Sequence, residues 1–119
     1  MSVIKWRKPE FNLQIQSREN LISSFQEKLK GRVVSAYFFG SFARDQVYSQ
    51  SDLDILLIVE DNFSAISFVE RPKLFSDLQD IFPAIDLLVY TERELKHKDE
   101  TDNKQGHWKE VIRDRLQFL

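Results

Sequence analysis

No cysteine occurs among the 119 residues, which excludes disulfides and thiolate metal sites and fits a reducing cytosol. Glycine and proline number only three each, and there is no internal repeat or low-complexity tract. No apolar run approaches the ~18 residues of a membrane span, and Lys5, Arg7 and Lys8 are not followed by the apolar segment of a secretion signal. These absences predict an untargeted, cytoplasmic chain with no membrane contact. A basic excess is missing too: net charge is -2 and the pI about 5.7, which argues against a polymerase-like grip on nucleic acid. The charged tract from Thr91 to Arg115 balances seven basic against seven acidic residues, as a solvated face does. His97 and His107 have no cysteine or aspartate at ligand spacing and read as surface residues.

What is present is globular composition, 42% apolar and 30% charged, with ten phenylalanines to give a core bulk. This length predicts one domain over residues 1–119, burying about two-thirds of its unfolded surface. The stretch from Phe38 to Val59 stands apart. An apolar run ends in Gly40-Ser41, ten residues follow, and Asp52-Leu53-Asp54 then opens a second apolar run.

Charge at the head of an apolar strand needs a reason. Side chains alternate along a strand, so Asp52 and Asp54 share a face roughly 7 Å apart, and two like charges there call for a cation. Mg2+ suits the pair, because it takes one or two carboxylates, keeps waters and completes its shell with phosphate oxygens. Gly40 permits a positive φ or a close backbone approach. Ser41 brings a hydroxyl to a helix start, where free N–H groups favour phosphate. Together these residues read as a nucleoside triphosphate site. A lone Asp-x-Asp is usually a turn or strand-start feature; the Gly-Ser pair at this distance and a third aspartate, Asp86, are what set this one apart.

These residues resemble the G-S-x10-D-x-D signature of the minimal nucleotidyltransferases in the DNA polymerase beta-like superfamily. Phe42-Ala43-Arg44 and Ser51 are similar to that family as well, and Asp86 in Ala84–Tyr90 matches its third aspartate. The resemblance spans about residues 20 to 95. It implies an α/β nucleotidyltransferase fold, a mixed three- to four-stranded sheet packed with helices. It implies catalytic and metal-binding roles for Asp52, Asp54 and Asp86, two Mg2+ ions, and ATP or another NTP held by Gly40, Ser41, Arg44 and Ser51. On the residues alone, Arg44 reads better as a partner for Asp52 or Asp54, and Ser51 as a turn cap. Asp45 departs from the family, which more often has glycine there.

Along the chain, Trp6, Phe11, Leu13 and Ile15 leave residues 1–16 open between an edge strand and a packed arm. Ser17 is a plausible N-cap for a helix carrying Leu21, Ile22, Phe25 and Leu29 until Gly31. Val33 to Phe39 predicts a central strand. Phe63 to Phe82 predicts a helix with Leu74, Phe75, Leu78, Ile81 and Phe82 buried, either broken before Pro72 or starting at about Arg71. A third strand from Ala84 to Tyr90, a short helix from Glu92 to Lys98 and a polar loop from Asp99 to Gly106 follow. Trp108, Val111, Ile112, Leu116 and Leu119 then suggest a last amphipathic helix over about 105–118, beyond a core of about 17–95, with Trp108 as its anchor. For Ser41, Asp54 and Asp86 to meet, strands one and two must be antiparallel and strands two and three parallel, joined by a right-handed crossover.

The chemistry this implies is in-line attack of a hydroxyl on the α-phosphorus of an NTP, with pyrophosphate leaving on the Gly40-Ser41 side. Nothing in the 119 residues is long enough to form an acceptor-binding domain, which points to acceptor recognition by a partner protein or by self-association. Small members of the family resemble antitoxins paired with HEPN ribonucleases, some of which transfer AMP to that partner. The expectation is therefore an NMP transferase, AMP first, acting on a HEPN-type protein. A catalytically silent module that masks its partner, and an aminoglycoside-type small-molecule transferase, are the alternatives.

Overall fold

Leu53–Val59 is apolar at six of its seven positions, Asp54 being the exception, and such a run is stable only where both faces of a strand are covered. In a computed structural model, which describes residues 18–43, 53–102 and 106–119, it forms the central strand β2. β1 (Ser35–Phe39) pairs with it antiparallel, setting Phe39 opposite Asp54, and β3 (Ile85–Thr91) pairs parallel, setting Asp86 opposite Asp54. Both pairings are those required for Ser41, Asp54 and Asp86 to meet. Ser17 and residues 1–16 lie outside the described residues.

Helix α1 (Arg18–Leu29) buries Leu21, Phe25 and Leu29 and stops at Gly31, whose φ of 79° fits the turn after a helix. Arg32 then reaches back to the crossover, donating to Asp77 at 2.9 and 3.1 Å and to the Leu74 carbonyl at 3.1 Å. Its guanidinium holds the Asp77 carboxyl below the ordinary range.

The connection between β2 and β3 corrects the sequence reading. In place of one α-helix there are two 3-10 segments, Asp61–Ala65 and Arg71–Asp80, the second kinked at Phe75 (φ -118°, ψ 23°). It does begin at Arg71, with Pro72 in its first turn. Phe75, Leu78 and Phe82 are buried as expected, and Ile81 is partly buried, but Leu74 is 50% exposed. A 3-10 helix has three residues per turn, so a stripe drawn at α spacing drifts off its face.

The C-terminal part differs as well. Helix α3 runs Glu92–Thr101, through the start of the expected loop, and helix α4 (Gly106–Asp114) ends earlier than residue 118. Leu116–Gln117 instead forms strand β4, antiparallel to β1, giving the order β3-β2-β1-β4. Ala36 ties down this end, accepting from the Phe118 N–H at 2.9 Å and donating to the Leu119 carbonyl at 2.9 Å.

The sheet therefore has two covered faces. One packs Ala36, Phe38, Ile55, Leu57 and Val89 against α1 and the second 3-10 segment in a single apolar cluster. The other packs Phe39, Leu56 and Ile58 against Trp108 and Val111 of α4. Trp108 anchors α4 as expected. Its ring lies edge-on to Tyr90 at 5.4 Å, and its indole N–H donates to Asp99 at 3.0 Å.

Candidate functional site

The site lies where three strands begin or end. β1 finishes at Phe39 and passes into α2 (Gly40–Ala43), the short helix that carries Ser41. β2 starts at Leu53 and β3 at Ile85, so Asp54 and Asp86 are each the second residue of neighbouring parallel strands in direct register. Adjacent strands are about 4.8 Å apart, which brings two carboxylates to one edge of the sheet. Asp86 is exposed there and Asp54 half-buried.

Gly40 shows why glycine stands beside Asp54. Its φ is 69°, and a Cβ at that position would overlap Oδ2 of Asp54 and sit 3.1 Å from its Cγ. The glycine thus makes the turn and leaves the Asp54 carboxylate its place. From sequence Gly40 was read as permitting a positive φ or a close approach to a ligand; its φ is positive, and its near neighbour is the Asp54 carboxylate. Of the remaining expected site residues, Arg44, Ser51 and Asp52 lie outside the described residues, as does the family departure Asp45.

A cavity of about 290 Å³ opens beside Gly40, lined by Phe39 and Asp54 from the sheet, by Gly40 at the start of α2, and by His107, Glu110, Val111 and Asp114 from α4. His107 is exposed, as expected for a surface histidine, yet it stands over the site, edge-on to the Phe39 ring at 6.1 Å. The sequence reading missed this wall. Its signal was there in the spacing, because positions 107, 110, 111 and 114 recur at helical intervals and share one face.

Among the described residues no three carboxylates or histidines converge to hold a metal ion. The two carboxylates in register still suit Mg2+, which needs one or two and prefers oxygen ligands.

Among the described residues, the most heavily buried charge belongs to a support away from this edge. Arg71, 2% exposed, donates to both carboxylate oxygens of Glu94 at 2.6 and 2.9 Å, to the Val89 carbonyl at 3.1 Å and to the Ile66 carbonyl at 2.9 Å. Glu94 also accepts from the Thr91 N–H at 3.0 Å, while the Thr91 hydroxyl caps α3 by accepting from the Glu94 N–H at 3.1 Å. The guanidinium holds the Glu94 carboxyl below its ordinary range. Burial pushes the Tyr90 phenol up. This cluster clamps the crossover to the end of β3 and leaves the Asp54–Asp86 edge free of it.

The sequence matches the family described as Polymerase beta, Nucleotidyltransferase over residues 19–105. No curated protein sequence matches the chain. Among solved structures it is similar to a candidate nucleotidyltransferase from Sulfolobus solfataricus, with a TM-score of 0.56 and 21% identity, covering 97% of this chain and 90% of that one. It is also similar to a chain from a toxin–antitoxin structure with AMP-PNP, with a TM-score of 0.51 and 18% identity, covering 86% of this chain and 73% of that one. At such identities the two structures establish the fold, which is a mixed α/β sheet of four strands with helices packed on it.

Proposed function

Because this chain belongs to the Polymerase beta nucleotidyltransferase family, we propose that it transfers a nucleoside monophosphate, AMP first, from Mg2+-bound NTP to a hydroxyl of a partner protein. The observation that carries this reading is the register of Asp54 with Asp86, with Gly40 closed against Asp54. Two carboxylates side by side at one edge of a sheet repel, and a cation held between them offsets that repulsion. Asp54 and Asp86, with Asp52, would hold Mg2+. When bound, the metal supplies neutralisation of phosphate charge.

The chain's own groups supply the rest. Gly40, with no Cβ, keeps the Asp54 carboxylate in place beside the Gly40-Ser41 turn, the side on which pyrophosphate leaves. Asp86, exposed at the open edge, receives the attacking hydroxyl and takes its proton. The hydroxyl oxygen bonds to the α-phosphorus as the bond from that phosphorus to the bridging oxygen of the leaving pyrophosphate breaks. Positioning and electrostatics are enough for this chemistry.

The similar chain from a toxin–antitoxin structure with AMP-PNP supports a toxin–antitoxin role with a protein partner, and the resemblance of the G-S-x10-D-x-D motif makes that partner a HEPN-type protein in this reading. Incubation of the purified chain and its partner with Mg2+ and α-labelled ATP should label the partner, and Asp54→Asn and Asp86→Asn should each abolish the label. Tight partner binding with no label in the native chain would instead leave a module that acts by masking.

A further inference from the structure

At the opposite end of the sheet from Asp54 and Asp86, two open cavities adjoin. One, of about 590 Å³, is lined by Arg32, Val34, Glu60, Phe63 and Leu74 among others. The second, of about 440 Å³, is lined by Val34, Ile58, Glu92, Leu95, Lys96 and Glu100 among others. Val34 belongs to both, so they meet as one groove across the start of β1 and the ends of β2 and β3.

Its floor is apolar and partly bare. Val34 is 45% and Leu74 50% exposed, and neither exposure comes from a loose backbone. The Val34 N–H donates to the Ile58 carbonyl at 2.7 Å, and the Leu74 carbonyl accepts from Arg32 at 3.1 Å. The rim is acidic once internal pairs are set aside. Arg32 is committed to Asp77, and Asp99 to Arg115 and Trp108. Among the described residues Glu60, Glu92 and Glu100 make no ion pair, and Lys96 is the one lining cation without a partner.

We propose that this groove docks a segment of a partner protein that presents aliphatic anchors flanked by lysine or arginine. Apolar side chains would cover Val34 and Leu74, and the cations would meet Glu60, Glu92 and Glu100. Nucleic acid and anionic membrane are repelled by the same rim. A second copy is a poor occupant, because a two-fold contact would set one acidic groove against another. Val34 and Gly40 flank the two ends of β1, six residues apart and so roughly 20 Å at the rise of a strand, and a partner held here leaves the Asp54–Asp86 edge uncovered. Docking and transfer thus occupy separate ends of the sheet, and the proposal stands independently of the reaction.

The test uses the full chain and a fluorescent synthetic peptide with leucine on one helical face and lysine on the other, beside a glutamate version, followed by anisotropy. The native chain should bind the lysine peptide and not the glutamate one. Glu92→Lys combined with Glu100→Lys should weaken binding roughly tenfold or more. Leu74→Asp should remove it, with the circular dichroism spectrum unchanged because all three side chains are exposed. The proposal is overturned by absence of lysine-peptide binding, by binding indifferent to the charge reversal, or by a native dimer that Val34→Asp dissociates.

Discussion

The two faces of the sheet are made by the same three strands and tolerate change differently. On the face under α1, Phe38 packs against Phe25, Phe42 and Phe118, with ring centroids 6.0, 4.4 and 4.2 Å away, and the cluster runs on through Leu57, Leu78 and Val89. On the face under α4 the apolar cluster is smaller, and it gives way at one end of the strands to Gly40, Asp54 and Asp86. Alternation along β2 sets Asp54 on the α4 side, in line with Leu56 and Ile58, between Leu53 and Ile55 that point the other way. One face is committed to stability along its length. The other yields its end to chemistry.

Substitutions on the two faces should therefore separate stability from activity. The largest loss of stability belongs to Phe38→Ala, about 3–5 kcal/mol by chemical denaturation, with transfer falling only as far as the folded fraction falls. Asp54→Asn should do the reverse, lowering label transfer roughly a hundredfold or more while the thermal midpoint stays in place. A midpoint that collapses with Asp54→Asn would erase the distinction.

Arg71→Ala tests the clamp at the other end of the crossover and should cost about 3 kcal/mol, because it strips a buried guanidinium from Glu94 and two carbonyls. The pair also sets an acid limb. Glu94 has its folded pKa lowered below the unfolded value of about 4.3, so its contribution is complete above about pH 5 and is lost as pH falls through the lowered value. In a pH series of unfolding midpoints, Glu94→Gln should flatten that limb. Gly40→Ala lies between the two classes. It should cost about 1–2 kcal/mol for its positive φ and lower activity further, because the new Cβ displaces the Asp54 carboxylate. The smallest effect is Lys73→Ala, within about 0.5 kcal/mol, since its contact with Glu70 is exposed.

The strand order around the site was legible because chemistry constrained it: Gly40, Asp54 and Asp86 can meet only if β2 runs antiparallel to β1 and parallel to β3. The crossover was less legible, since apolar spacing around Phe75 and Leu78 fits a 3-10 segment almost as well as an α-helix, and only Leu74 distinguishes them. β4 was misread because Leu116 continues the helical spacing of Trp108, Val111 and Ile112, whereas it is one of two exposed residues held to β1 by backbone bonds. Arg71 was read only as a possible helix start, because its burial depends on Glu94, 23 residues away. His107 and Glu110 were passed over as a solvated face, and they become a cavity wall only once α4 folds over Phe39.

The most direct measurement compares α-labelled with γ-labelled ATP on the native chain, its partner and Mg2+. Nucleotide transfer at the Asp54–Asp86 edge predicts partner labelling from the α-labelled substrate alone, lost in Asp54→Asn. Labelling from the γ-labelled substrate alone, or from neither, would contradict it.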